Sequence, residues 1–127
     1  MSSGTELLPT KRPLSRLRDI VENGKAVLEY TQEMDFEDFL RNRLVRDASE
    51  RCLARISEAA VKLGSVAEEL FPRHGWRDIR NFGNILRHEY EDVLDDVTWA
   101  IITRHLPPLI VDLETFLAEY PEDQETL

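Results

Sequence analysis

The chain has 127 residues, enough for one domain with a single core. Its 42% hydrophobic and 32% charged content excludes a disordered chain, and without a run of about 18 apolar residues no membrane span is expected. A net charge of −9 excludes general adhesion to nucleic acid, and a lone cysteine, Cys52, excludes an internal disulfide.

Residues 1–13 read as a flexible lead-in lacking the apolar run of a secretory signal, so the expected compartment is the cytoplasm. A helix is predicted from Leu14 to about Gln32, with Leu14, Leu17, Ile20, Gly24 and Val27 on one face. Asp35 is a candidate N-cap, followed by acids at 37 and 38, and Phe36, Phe39 and Leu40 are expected to pin this corner to the core. A long helix is predicted from Arg41 to Leu63, its stripe running from Leu44 and Val45 through Cys52, Leu53 and Ile56 to Leu63. Its arginines read as solvated i,i+4 partners of Asp47, Glu50 and Glu58. Gly64 suits the end of that helix. Ser65-Val66-Ala67-Glu68 has the pattern of a capping box opening a short helix that Pro72 stops. His74 is expected in an exposed loop and Trp76 as a core anchor.

From Trp76 to Tyr90 the sequence carries two opposed helical stripes. Ile79, Phe82 and Leu86 form an apolar face, while Asn81, Asn84 and His88 repeat the same spacing on the other side. Arg80 and Arg87 flank the polar stripe. Residues 71–90 hold four arginines and two histidines against only Asp78 and Glu89, whereas residues 91–127 hold one arginine against ten acids. The one basic island therefore coincides with the polar stripe. A proton-transferring imidazole, guanidinium groups and amide donors are the equipment for cleaving a phosphodiester. Glu58, among the small residues Ser57, Ala59 and Ala60, is a candidate polar partner for the His88 region.

Beyond Tyr90, Asp95-Asp96 are expected to cap a last helix whose stripe reaches Phe116 and Leu117, with a bend near His105 where Pro107 and Pro108 interrupt the pattern. Trp99 lies off the stripe and is a candidate subunit contact. Residues 14–120 form the expected domain, and 121–127 an acidic tail expected to fray. No strand-like alternation and no internal repeat occurs, which makes the fold class all-α, a helical bundle. No Glu-x-x-His pair, HExxH, zinc spacing or Walker loop is present, so no metal or other cofactor is expected.

Several landmarks in order resemble one family. They are Ser57-Glu58-Ala59-Ala60 in a long helix, Trp76-Arg77-Asp78-Ile79-Arg80, Asn84-x-x-x-His88-x-Tyr90, Val97-x-Trp99, and Leu106-Pro107-Pro108-Leu109. Together they are similar to the HepT-like group of the HEPN superfamily over about residues 14–120. The resemblance implies an antiparallel bundle of four to five helices that forms a homodimer, bringing two Arg-x4-6-His motifs into one cleft. It further implies a metal-independent endoribonuclease, the toxin of a pair whose antitoxin is a minimal nucleotidyltransferase, with RNA and not DNA as substrate. His88 would then be the acid/base residue, Asn84 a phosphate or histidine partner, Asn81 a supporting polar group, and Tyr90 the target of AMPylation. The usual pattern places arginine five residues before the histidine, where this chain has Gly83. Arg80 or Arg87 could supply the missing charge, since each lies within reach of a long side chain around the helix. The alternative implied by the same departure is a module that binds a nucleotidyltransferase or nucleotide without cleaving RNA.

Overall fold

The computed structural model describes residues 10–88 and 91–127, and among these every regular element is helical. Helix α1 spans Pro13–Tyr30, α2 Phe36–Arg41, α3 Arg43–Leu63, α4 Ser65–Leu70, α5 Trp76–His88, α6 Glu91–Ala100, and α7 Leu106–Leu117. A π-helical turn over Ile101–His105 joins α6 to α7. No helix among the described residues is long and apolar enough to cross a membrane.

The long helices pack antiparallel, and cross-helix bonds fix their directions. Thr10, ahead of α1, donates its N–H to the carbonyl of Lys62 at the end of α3 (3.0 Å). Lys25 on α1 pairs with Glu114 on α7 (3.0 Å). Along α3 and α5, Ser57 Oγ donates to the Arg80 carbonyl (3.0 Å), and Arg80 Nε reaches back to the Ala60 carbonyl (3.2 Å). The core is the shared apolar face of α1, α3, α5 and α7, with Leu17, Ile20, Ile56, Ile79, Phe82 and Leu109 buried at its centre. Gly24 permits the tight α1–α7 approach, since a Cβ there would lie 2.5 Å from Ile110 Cδ1. Trp76 anchors the start of α5 as its amphipathic side chain requires: the ring is buried, and Nε1 donates to the Phe71 carbonyl (2.8 Å). Cys52 is buried beside Leu53 and Ile56 of its stripe.

Several local expectations give way to stronger forces. The predicted helix from Arg41 is broken at Asn42, whose side chain accepts the Val45 N–H (3.1 Å) and starts α3 afresh. Asp35 does cap α2, in a full capping box with Asp38. Leu44, in the first turn of α3, is 79% exposed, and Leu40 is exposed as well. Trp99 packs within the same chain, its ring against Phe36 and Phe39 of α2 at centroid distances of 6.0 and 5.1 Å. Asp95 and Asp96 lie inside α6 rather than capping it. The segment before Leu106 does not break. The proline rings lack N–H groups and crowd the carbonyls one turn back, and the backbone answers by widening, with Leu106 N–H bonded to the Ile101 carbonyl. The acidic tail is tied down: Arg18 donates to the carbonyls of Pro121 (2.7 Å) and Gln124, and Leu14 N–H bonds the Glu125 carbonyl (3.1 Å).

Gly64 adopts φ 58° and ψ −143°, a region open to glycine alone, and this sharp turn sends the chain from α3 into α4. Nothing lies within 4 Å of the position a Cβ would take. The Gly64→Ala variant is therefore expected to lose about 1–3 kcal/mol from backbone strain alone, read as a lower denaturant midpoint with an unchanged slope.

Candidate active site

Helix α5 presents three longitudinal strips. Trp76, Ile79 and Phe82 face the core, Arg80, Gly83 and Arg87 face α3, and Arg77, Asn81, Asn84 and His88 follow one another at helical spacing along the outward ridge. Between α3 and the ridge runs a groove of about 990 Å³. Its α3 wall is Ala54, Ser57, Glu58 and Val61, and its α5 wall includes Arg77, Arg80, Asn81, Asn84 and Arg87.

The ridge residues are linked. Asn84 Nδ2 donates to Asn81 Oδ1 (3.2 Å), and Arg87 Nη2 donates to Asn84 Oδ1. The chain of bonds orients both amides and folds the Arg87 side chain back along its own helix. Its Nη1 comes to rest 3.6 Å from where a Cβ of Gly83 would stand. A guanidinium therefore lies over the position that the sequence leaves without a side chain. His88 is exposed at the last residue of α5, one residue beyond Arg87, where the groove lining ends.

Arg80 has a different situation. Its Nη1 and Nη2 make a bidentate pair with the Glu68 carboxylate (2.6 Å each), Nη2 also donates to the Gly64 carbonyl (2.8 Å), and Nε donates to Ala60. It closes the last turn of α3 and ties α4 to α5, satisfying carbonyls that a helix end leaves open. The hydrogen bond from Arg80 holds the Glu68 carboxyl below its ordinary range. Because that folded-state value is depressed, the contact stabilises the fold above the ordinary glutamate range and is lost as the pH falls through it. Glu68 thus serves this clamp, not the capping box that Ser65-x-x-Glu68 suggests; the N-cap of α4 is Gly64, with no side-chain bond.

The other candidates are dispersed. Glu58 is on the α3 wall of the groove, ion-paired with Lys62 one turn along (3.1 Å). Tyr90 lies outside the described residues. His74 is not the exposed loop residue expected: its side chain is 6% exposed, with Nε2 2.7 Å from Asp112 Oδ2 and the ring edge-on to Trp76. No group of three potential metal-ligating side chains occurs among the described residues.

Sequence reasoning missed two features of this region. Arg77 belongs to the ridge by spacing alone and was legible as such. The pairing of His105 Nε2 with Asp78 Oδ2 (3.5 Å) was not, because it depends on the π turn that rotates His105 toward α5.

Set beside known proteins, this all-helical domain is similar to proteins named as ribonucleases. The HepT-like ribonuclease family model matches residues 20–116. A Methanocaldococcus jannaschii protein named as an RNase is 31% identical over 98 residues, which cover 77% of this chain and 90% of that one. A Thermococcus cleftensis protein named as a ribonuclease HepT is 32% identical over 93 residues, 73% of this chain and 84% of the other. A second M. jannaschii protein named as an RNase is 26% identical over 118 residues, 93% and 98% of the two chains. No solved structure matches the chain. The chain belongs to the HepT-like ribonuclease family.

Proposed function

We propose that the chain is a metal-independent endoribonuclease that works as a homodimer in the cytoplasm. In this reading it is the toxin of a pair with a minimal nucleotidyltransferase antitoxin that silences it by AMPylating Tyr90. The observation that carries the nuclease reading is the Asn81–Asn84–Arg87 bond chain on the groove wall, on the same helix ridge as the exposed His88.

The chemistry follows from those groups. The His88 imidazole takes the proton from a ribose 2′-OH, and the 2′ oxygen attacks the adjacent phosphorus. The bond to the 5′ oxygen breaks, that oxygen takes a proton from an imidazolium, and the products are a 2′,3′-cyclic phosphate and a 5′-OH. The Arg87 guanidinium neutralises the added charge on the phosphorane as it forms. Asn84 keeps that guanidinium in place, Asn81 keeps Asn84 oriented, and Glu58 supplies polar support from the opposite wall. Arg80 acts as a positioning residue, fixing α5 against α3. DNA, lacking the 2′-OH, is spared.

Purified protein incubated with RNA and a chelator tests this directly. The expected result is fragments ending in 2′,3′-cyclic phosphate and no cleavage of DNA of the same sequence. Gly83 supports a second reading, a module that binds nucleotidyltransferase or nucleotide without cutting. Absence of cleavage by an unmodified dimer would select it.

A further inference from the structure

On the other side of the α5 ridge lies a second cavity, of about 230 Å³, between α5 and the run from α6 into the π turn. Its floor is apolar, formed by Ile85, Val97 and Ala100, and its rim is polar, formed by Asp78, Asn81 and His105. At this size it falls below pockets for drug-sized ligands of about 300–1,000 Å³. A flat heterocycle with an apolar face and a hydrogen-bonding edge fits both its volume and its division into floor and rim. The π turn is what builds the rim. In a regular helix His105 would point elsewhere; in the widened turn it meets Asp78 and packs on the Gly75 backbone. π turns inside α-helices occur frequently at functional sites.

Asn81 belongs to both cavities. It lies roughly 10 Å along the helix axis from His88, close enough for a neighbouring nucleotide of the same strand to reach. We infer that this cleft is a nucleobase subsite, holding an unpaired base beside the cleavage position. Asp78 is exposed and accepts hydrogen bonds only, so it pairs with the donor edge of a base, the exocyclic amino group of adenine or cytosine or the ring N–H of guanine or uracil. Asn81 donates and accepts, and the His105 ring edge closes the third side. Recognition of single-stranded RNA through splayed bases rests on such sites. The assignment rests on the ribonuclease reading only for the strand that occupies the groove; binding of a free nucleoside does not depend on cleavage.

The experiment therefore has two arms, run on the full chain and on two variants checked for unchanged thermal unfolding. Ala100→Leu fills the floor. Gly75→Ala substitutes no cleft residue but sets a Cβ 2.6 Å from His105 Cε1, displacing the ring. In the first arm, adenosine, cytidine, guanosine and uridine are titrated and backbone amide shifts recorded. The inference expects shifts confined to the cleft and binding lost in both variants. In the second arm, RNA randomised around the cut is digested, and a base bias at one flanking position is expected for the unaltered chain and expected to vanish in both variants. Nucleoside binding without cleavage would remove the ribonuclease reading and leave the subsite standing. No shifts, shifts outside the cleft, or a bias unaltered by both variants would overturn the subsite.

Discussion

His88→Ala is expected to abolish RNA cleavage, by about 10²–10⁴-fold for the loss of a positioned acid–base group, while leaving the fold intact. The second half of that expectation comes from position: His88 is an exposed residue at the end of α5 and contributes nothing to the core cluster. Surface changes of this kind alter stability by less than about 0.5 kcal/mol. Single-turnover cleavage and thermal melting on the same preparation check both. A variant that melts like wild type and still cuts would remove His88 from the chemistry. One that unfolds would show that the side chain has a structural part.

The second large effect separates the two arginines. Arg80→Ala removes one side chain from a carboxylate and two backbone carbonyls at once, leaving the end of α3 uncapped. Charge-assisted bonds contribute about 1.5–3 kcal/mol, but Glu68 is exposed, which discounts its share. An expected loss of about 2 kcal/mol follows, or roughly 5–10 °C in Tm. Below its melting range the variant should keep most of its single-turnover rate. Arg87→Ala should do the reverse. Its side chain is exposed and, among the described residues, bonded along its own helix to Asn84, so Tm holds, while the rate falls by about 10²–10³-fold, as for a lost oxyanion donor. If Arg80→Ala at full stability loses the larger share of rate, the assignment of charge is reversed. Arg80→Lys refines the contrast, since lysine keeps the charge but not the planar fork that spans Glu68 and the carbonyls.

How much of this was legible in the sequence depends on how local the cause is. The opposed stripes of α5 follow from helical spacing alone, so the core face and the ridge of Asn81, Asn84 and His88 could be read before any coordinates. The roles of Arg80 and Arg87 could not. They sit seven residues apart on the same helix, and only the neighbours differ: the end of α3 beside one, Gly83 beneath the other. Leu44 and His74 show the same limit. Leu44 keeps the helical period yet is exposed, since it stands in the first turn of α3, ahead of Ser49, the first buried residue of that helix. His74 lies in a Pro-Arg-His-Gly stretch typical of a surface loop, and Asp112, distant in sequence, draws its ring inward. Tertiary partners decide these cases, and periodicity carries no trace of them.

The widened turn at Ile101–His105 has a consequence for how this chain tolerates changes in length. A π turn holds one residue more than the α turn it replaces, so along the run from α6 to α7 the sequence is one position out of step with an unbroken helix. Elsewhere in a buried helix, deleting a residue rotates everything after it by about 100° and takes the apolar face off the core. Here a deletion would first be absorbed by collapse of the wide turn into a regular one, leaving Leu106, Leu109 and Leu113 facing α1. What would be surrendered is the aim of His105 toward Asp78. Relatives of this chain that differ by a single residue at this point can thus share the same core while differing in what lies across the ridge from the groove.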